Sequence, residues 1–185
     1  QSIGIGEAAY RAARDYGHAR KQFGTAIDTF PAVRELLVNM QLDIQAARTL
    51  TYYASFCVDI ENGALRGLES EEAKNDKEIR KGHKQLARKI GRYNKVLTPM
   101  SKYYASEMSM RVANDSIAVL GGSGYMKDYA CERYLRDSRI TTIYEGTSQL
   151  QVLAGIAGVT SGTAKTIIED LLDNTWTKEV QPMID

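Results

Sequence analysis

Residues able to do acid–base chemistry concentrate in one stretch, Arg136-Asp137-Ser138-Arg139-Ile140-Thr141-Thr142-Ile143-Tyr144-Glu145-Gly146-Thr147-Ser148-Gln149-Leu150. A charged turn runs into alternating Ile and Thr, and then a single carboxylate, Glu145, stands between Tyr144 and Gly146. Thr147 and Ser148 can cap a helix that continues as Leu150, Val152, Leu153, Ile156 and Val159, because Ser and Thr before an apolar helical run mark a helix start. Glu145 is therefore expected at a helix N-terminus, where free N–H groups favour the ionised carboxylate. The apolar Ile143 and Tyr144 oppose ionisation by desolvation. A carboxylate under both influences can serve as a general base, and Gly146 lets another group approach closely. A plainer role, a dipole partner without chemistry, fits the same position.

Other candidates are weaker. Gly121-Gly122 after a helical run is first a helix stop and second a place for a ligand to approach the backbone. No strand precedes it, so a dinucleotide-binding Rossmann reading fails. His18 near a helix end reads as a dipole partner rather than a catalyst. Cys57 and Cys131 are isolated from each other and from the two His, which points to buried thiols in a reducing compartment, not to a disulfide or metal site.

The elements that position these residues read as helices. Ile3, Ile5, Ala8, Ala9, Ala12, Ala13 and Tyr16 form one apolar stripe over residues 1–19, and Lys21 to Thr29 make a connection punctuated by Gly24 and Pro31. The next helix carries the clearest periodicity: Val33, Leu37, Met40, Ile44, Ala47, Thr51, Ala54 and Val58, a heptad-like seam suited to antiparallel packing or a subunit interface. Asn62-Gly63 is expected to close it. From Ala64 to about Lys81 the charges and Gly67 suggest a connection of weak helical content. A basic helix follows from about His83 to Leu97, and Pro99 is expected to start or kink the one after it. That helix runs through Tyr103, Tyr104, Ala105, Met108, Val112, Ile117 and Val119 to Gly121. Short helices are expected over Tyr129–Arg136, Glu145–Thr160 and Lys165–Leu172. The segment to Asp185 shows an apolar face in Leu171, Leu172 and Trp176.

Composition bounds the function classes. The chain has 185 residues, 43% of them hydrophobic, and a formal net charge of +1. Lys and Arg are mixed with acidic residues, so no nucleic acid is expected as partner. The dense charge cluster from Glu69 to Arg92 carries both signs and reads as a solvated face. No apolar run is long enough for a membrane span, and the N-terminus lacks the regions of a signal peptide.

Tyr144-Glu145-Gly146-Thr147, preceded by Arg136-Asp137 and followed by Gln149, resembles the catalytic segment of the acyl-CoA dehydrogenases. The likeness extends upstream through Gly121-Gly122-Ser123-Gly124-Tyr125, Asp128, Arg133 and Asp137. A third segment, Arg20-Lys21-Gln22-Phe23-Gly24, resembles the Arg-x-x-Phe-Gly turn between the first two helices of that family's C-terminal domain. The resemblance implies an all-α antiparallel four-helix bundle over residues 1–160, with a helical extension, residues 161–185, packed on it. It implies Glu145 as the base taking the α-proton of an acyl-CoA, with Tyr144 and Gly146 at the substrate. It also implies FAD held across a subunit interface by Arg20, Gln22, Phe23, Gly121, Gly122, Thr147 and Gln149. Arg133, Arg136 and Asp137 are expected to form an internal salt-bridge set. Implied partners are an acyl-CoA substrate, an electron-transfer flavoprotein or similar acceptor, and further copies of the chain in a homodimer or homotetramer. The implied location is the bacterial cytoplasm or the mitochondrial matrix.

Two positions depart from the family pattern: Ala118 stands three residues before Gly121 and Pro31 stands early in the second helix, where relatives often carry Gln. The helix from Leu150 to Thr160 has no basic residue. The domains that precede this region in full-length relatives are not in the sequence, so it is expected to be a C-terminal domain, inactive alone. The alternatives are a non-catalytic helical oligomerisation module derived from the family, or a related flavoenzyme such as an acyl-CoA oxidase.

Overall fold

The computed structural model describes residues 1–173; Trp176 and the rest of the expected C-terminal segment lie outside the described residues. The fold is all-α, with the helices of an antiparallel four-helix bundle. Helix α1 spans Ser2–Ala19, and a hairpin of two-residue strands, β1 (Lys21–Gln22) and β2 (Thr25–Ala26), follows it. Then come α2 (Pro31–Gly67), α3 (Glu71–Asn75), α4 (Lys77–Leu120), the single turn α5 (Gly122–Tyr125), α6 (Cys131–Arg139), α7 (Ser148–Thr160) and α8 (Thr163–Leu172). Among the described residues no helix is long and apolar enough to cross a membrane, and no group of three or more His, Cys, Asp or Glu could hold a metal.

The chain divides into two compact units. The first comprises Gln1–Tyr53 and Met100–Gln151. Its core is built by Ala9 and Ala13 of α1, Met40, Ile44 and Ala47 of α2, Met108 and Val112 of α4, and Cys131 of α6. The small residues Gly6, Ala9, Ala13 and Gly17 form the buried stripe of α1, which lets the neighbouring helices approach closely. A Cβ on Gly6 would lie 3.0 Å from the Met108 sulfur. Buried Ser106, Ser109 and Ser116 on α4 satisfy their hydroxyls by donating to backbone carbonyls three residues back, at 3.0, 2.8 and 2.7 Å.

The second unit comprises Ala54–Pro99 and Val152–Asp185. Here the seam of α2 continues through Ala54, Cys57 and Ala64, not through Val58, which is exposed. Ala87, Ile90, Tyr93, Val96 and Leu97 of α4 and Ile167 of α8 are buried with them. A Cβ on Gly158 of α7 would meet Val96 Cγ2 at 2.3 Å, so only glycine permits this approach. The Lys and Arg residues from Lys77 to Lys95 on α4 are exposed, as expected for a solvated face. Asp170 of α8 accepts from the Tyr93 hydroxyl and pairs with Lys89 at 2.5 Å.

Three expectations about helix ends are corrected. Helix α2 does not stop at Asn62-Gly63 but continues to Gly67, because Cys57 and Ala64 bury its far end. The segment after it is ordered into α3 and the start of α4. Ser70 Oγ accepts the Ala73 N–H at 3.2 Å, and Asp76 Oδ1 accepts the Glu78 and Ile79 N–H groups at 2.8 and 3.3 Å. These are N-caps, hidden in the sequence by the surrounding charge. Pro99 does not start a new helix; it lies inside the 44-residue α4, at the boundary between the two units. Its missing N–H and steric clash cost about 3 kcal/mol or more. Burial of Val96 and Leu97 before it and of Ser101 and Ala105 after it keeps both halves helical.

Candidate functional site

Between α6 and α7 the chain forms a 3₁₀ turn, Ile140–Thr142, and then a tight loop. Thr141 and Thr142 are buried, and their hydroxyls donate to Ser138 and Arg139 carbonyls at 2.7 and 3.0 Å. The Tyr144 N–H returns to the Ile140 carbonyl at 3.1 Å, and its hydroxyl donates to Gln1 Oε1 at 2.5 Å. Glu145 follows in the left-handed region, φ 53, and Gly146 at φ 91. A glutamate there is strained by about 1–2 kcal/mol, because its Cβ crowds the following carbonyl. Its side chain is exposed. Glu145 thus precedes α7 rather than belonging to its first turn, which corrects the expected helix N-terminal placement. Thr147 is the residue that caps, with its Oγ1 accepting the Leu150 N–H at 3.5 Å.

Ser148 does not cap. Its hydroxyl donates to Glu107 Oε1 on α4 at 2.5 Å. One turn and a half earlier on α4, Lys102 Nζ donates to the Thr141 and Gly146 carbonyls, both at 2.8 Å, and sits 5.8 Å from the Tyr144 ring centre. From α7, Gln151 Nε2 donates to the Glu145 and Gly146 carbonyls at 3.1 and 3.4 Å. The strained pair is therefore held from two helices at once. Lys102, Glu107 and Gln151 were not among the residues singled out from the sequence. A signal existed for two of them: Lys102 and Glu107 are the only charged residues between Lys95 and Arg111.

A separate cleft of the first unit gathers Arg20, Gln22, Phe30, Ala118, Gly121 and Gly122. Tyr16 closes one side, donating to Ser123 Oγ at 3.2 Å. The β1–β2 hairpin turns through Phe23 (φ 52) and Gly24 (φ 84), the mirror-image turn that suits the twist of two strands. That turn leaves the Phe23 ring 91% exposed, touched edge-on by Phe30 at 6.4 Å. Phe23 itself does not line the cleft, and neither does Glu145. Gly121 (φ 61) ends α4, and a Cβ on Gly121 or Gly122 would find nothing within 4 Å. Arg20 is exposed and joins no ion pair among the described residues. An unpaired guanidinium beside open glycine backbone suits a phosphate-bearing ligand. Ala118 lies in the wall of the same cleft and brings no polar atom there beyond its backbone. Gln149 is exposed on α7.

The remaining expectations can be placed. Arg136 lies 3.8 Å from the half-buried Glu132 and 4.0 Å from the exposed Asp137. Arg133 joins no ion pair among the described residues, so the expected three-residue set is corrected to a Glu132–Arg136–Asp137 group. His18 Nδ1 faces Asp28 Oδ2 at 3.2 Å. Both cysteines are buried and neither is in a disulfide, and burial pushes the Cys131 thiol up from its ordinary value.

The description "Acyl-CoA dehydrogenase, C-terminal domain" matches residues 1–75 and 80–159. The probable acyl-CoA dehydrogenase fadE25 of Mycobacterium bovis is 34% identical over 151 residues, covering 82% of this chain and 31% of that protein. The 3-(aryl)acrylate reductase of Clostridium sporogenes is 35% identical over 151 residues, with 82% and 32% covered. In structure, the butyryl-CoA dehydrogenase of Megasphaera elsdenii superposes with a TM-score of 0.64 at 28% identity, over 86% of this chain and 34% of that one. The chain thus spans about a third of the length of these relatives. It belongs to the acyl-CoA dehydrogenase family and carries that family's C-terminal helical domain.

Proposed function

We propose that the chain is the proton-abstracting, flavin-holding domain of an FAD-dependent acyl-CoA dehydrogenase, with Glu145 as the base. The observation that carries this reading is the exposed Glu145 carboxylate, raised on a strained left-handed backbone that Lys102 and Gln151 hold in place. A dipole partner has no need of strain or of such support. Glu145 takes the α-proton of the acyl thioester, a weak acid whose conjugate carries charge on the carbonyl oxygen. The Glu145 backbone N–H would donate to that oxygen. With substrate bound, Tyr144 would form part of the wall around the base, and Gly146 would let the thioester approach. When bound, FAD supplies the acceptor for the β-hydrogen, which leaves as hydride to give the trans-2-enoyl thioester.

Arg20, Gln22, Gly121 and Gly122 would hold the cofactor from one cleft, with Phe23, Thr147 and Gln149 adding contacts. By the family likeness the cofactor would be shared between copies of the chain in a homodimer or homotetramer, and an electron-transfer flavoprotein would take the electrons. The rest of the active-site cleft would come from segments this chain does not contain, so the isolated chain would be inactive. Residues 161–185 would form the extension that carries α8.

The test is spectroscopic. The full-length protein is purified and acyl-CoAs of several chain lengths are added anaerobically, beside Glu145→Gln. A yellow protein that bleaches, and a variant that binds FAD yet does not bleach, would support the reading. A variant that bleaches like the parent would remove Glu145 as base. A protein that takes up no FAD would favour a non-catalytic module instead.

A further inference from the structure

We propose that Lys102 is the positioning residue of this site: its ammonium staples both ends of the Glu145 loop to α4 and thereby sets the direction of the base. The inference rests on Glu145 being that base. One Nζ donates at 2.8 Å to the carbonyl of Thr141 and at 2.8 Å to that of Gly146, which bracket Thr142–Glu145. An ammonium has three donors and no acceptor, so a single side chain can tie two carbonyls that no neutral residue of its length could tie as strongly.

The second contact matters most. Gly146 is at φ 91 and Glu145 at φ 53, so a rotation of the Gly146 peptide would let the strained pair relax towards ordinary backbone angles and swing the carboxylate away. The other support of the pair, Gln151, lies on α7 only six residues beyond Glu145. Lys102 instead projects from the stretch of α4 that carries buried Ser101, Ala105 and Ser106, a rigid platform. The ring of Tyr144 near the ammonium, 5.8 Å from Nζ, adds attraction to the same end of the loop. Among the described residues Lys102 has no carboxylate within ion-pair distance, so it is not a surface salt bridge that happens to lie near the site.

Lys102→Met keeps the stem and removes the donors. In the full-length FAD-loaded protein, kcat for flavin reduction by acyl-CoA should fall roughly 10- to 100-fold, because misplacing a reacting group by about 1 Å costs on that order. KM should change less than about threefold, since the acyl-CoA is not touched, and Lys102→Arg should recover part of the rate. Amide exchange gives a readout independent of activity: Tyr144 to Thr147 should exchange about tenfold faster or more in Lys102→Met, with the α1 and α2 amides unchanged. Parental kcat together with unchanged loop exchange would overturn the inference. Faster exchange spread through the whole first unit would also overturn it, since Lys102 would then only support the fold. Glu145→Gln run alongside separates the two ideas. If it bleaches normally the base assignment fails, while the exchange result still decides whether Lys102 holds the loop.

Discussion

At the scale of single residues, the site is two consecutive left-handed positions. Glu145 bears the strain and Gly146 makes the next turn tolerable, because a glycine at φ 91 meets no Cβ clash. Gly146→Ala therefore tests the backbone rather than the chemistry. A Cβ would lie 2.7 Å from Gln151 Nε2, a flexible end that can move aside, so the cost is chiefly conformational. We expect a loss of about 1–2 kcal/mol in urea unfolding, with the Gln151 contacts to the loop given up. A stability equal to the parent's would mean that the φ 91 conformation is not held in solution. Residue identity in this region was legible in the sequence: a lone carboxylate between a ring and a glycine, ahead of a cap. Its backbone was not, because positive φ at a glutamate opposes local preference and is held here by contacts that include Lys102, some 40 residues earlier, and Gln151 of α7. The same distance in sequence hid Lys102 and Glu107. Two isolated charges inside an otherwise uncharged stretch of α4 were the trace they left, and their partners could be known only once α4 and the loop were side by side.

At the scale of elements, helices were legible from their periodicity and their ends were not. Ala9 and Ala13 of α1, Met40, Ile44 and Ala47 of α2 and the Met108–Val112 face of α4 fall where 3.6-residue spacing puts them, because burial of that face is what stabilises a helix in a protein. Gly63 and Pro99 misled because a local penalty of about 1 or 3 kcal/mol is smaller than the burial on either side of it. The caps were missed for the opposite reason: Ser70 and Asp76 lie in a run of charge that resembles a solvated loop. Asp76 accepts two N–H groups at the head of α4 and takes part in no ion pair among the described residues. Asp76→Ala should therefore cost about 1 kcal/mol, and Asp76→Asn should cost little, because the amide oxygen still accepts. Amide exchange of Glu78 and Ile79 in the two variants checks this; equal protection in both would show that the cap contributes nothing. The hairpin of β1 and β2 was unexpected in an all-helical reading. Two residues per strand are too few to show alternation, and only Phe23-Gly24 signalled a turn.

At the scale of the whole molecule, two carboxylates held below their usual range tie stability to pH. Glu7 is one, in the first unit. The Arg48 guanidinium on α2 donates to it at 2.8 Å and Arg11 shares it at 3.0 Å, and the hydrogen bond from Arg48 is the main reason its carboxyl sits below the usual range. Asp170 is the other, in the second unit, lowered first by Lys89 and then by Tyr93. A carboxyl whose folded value lies below its unfolded one binds fewer protons when folded. Its contribution is complete above the unfolded value, about 4 for these side chains, and fades as pH falls through the lowered folded value. Stability should thus be flat near neutrality and decline below about pH 5. In Glu7→Gln the acid-side decline should be shallower, at the cost of a lower plateau at neutral pH, because the neutral amide no longer attracts Arg48. Exchange measured between pH 3 and 7 can assign each effect to its own unit. Glu7→Gln should flatten the acid dependence of α1 amides and Asp170→Asn that of α8. If each substitution instead changed both helices equally, the two units would open as one, and their compactness as separate bodies would have no thermodynamic counterpart.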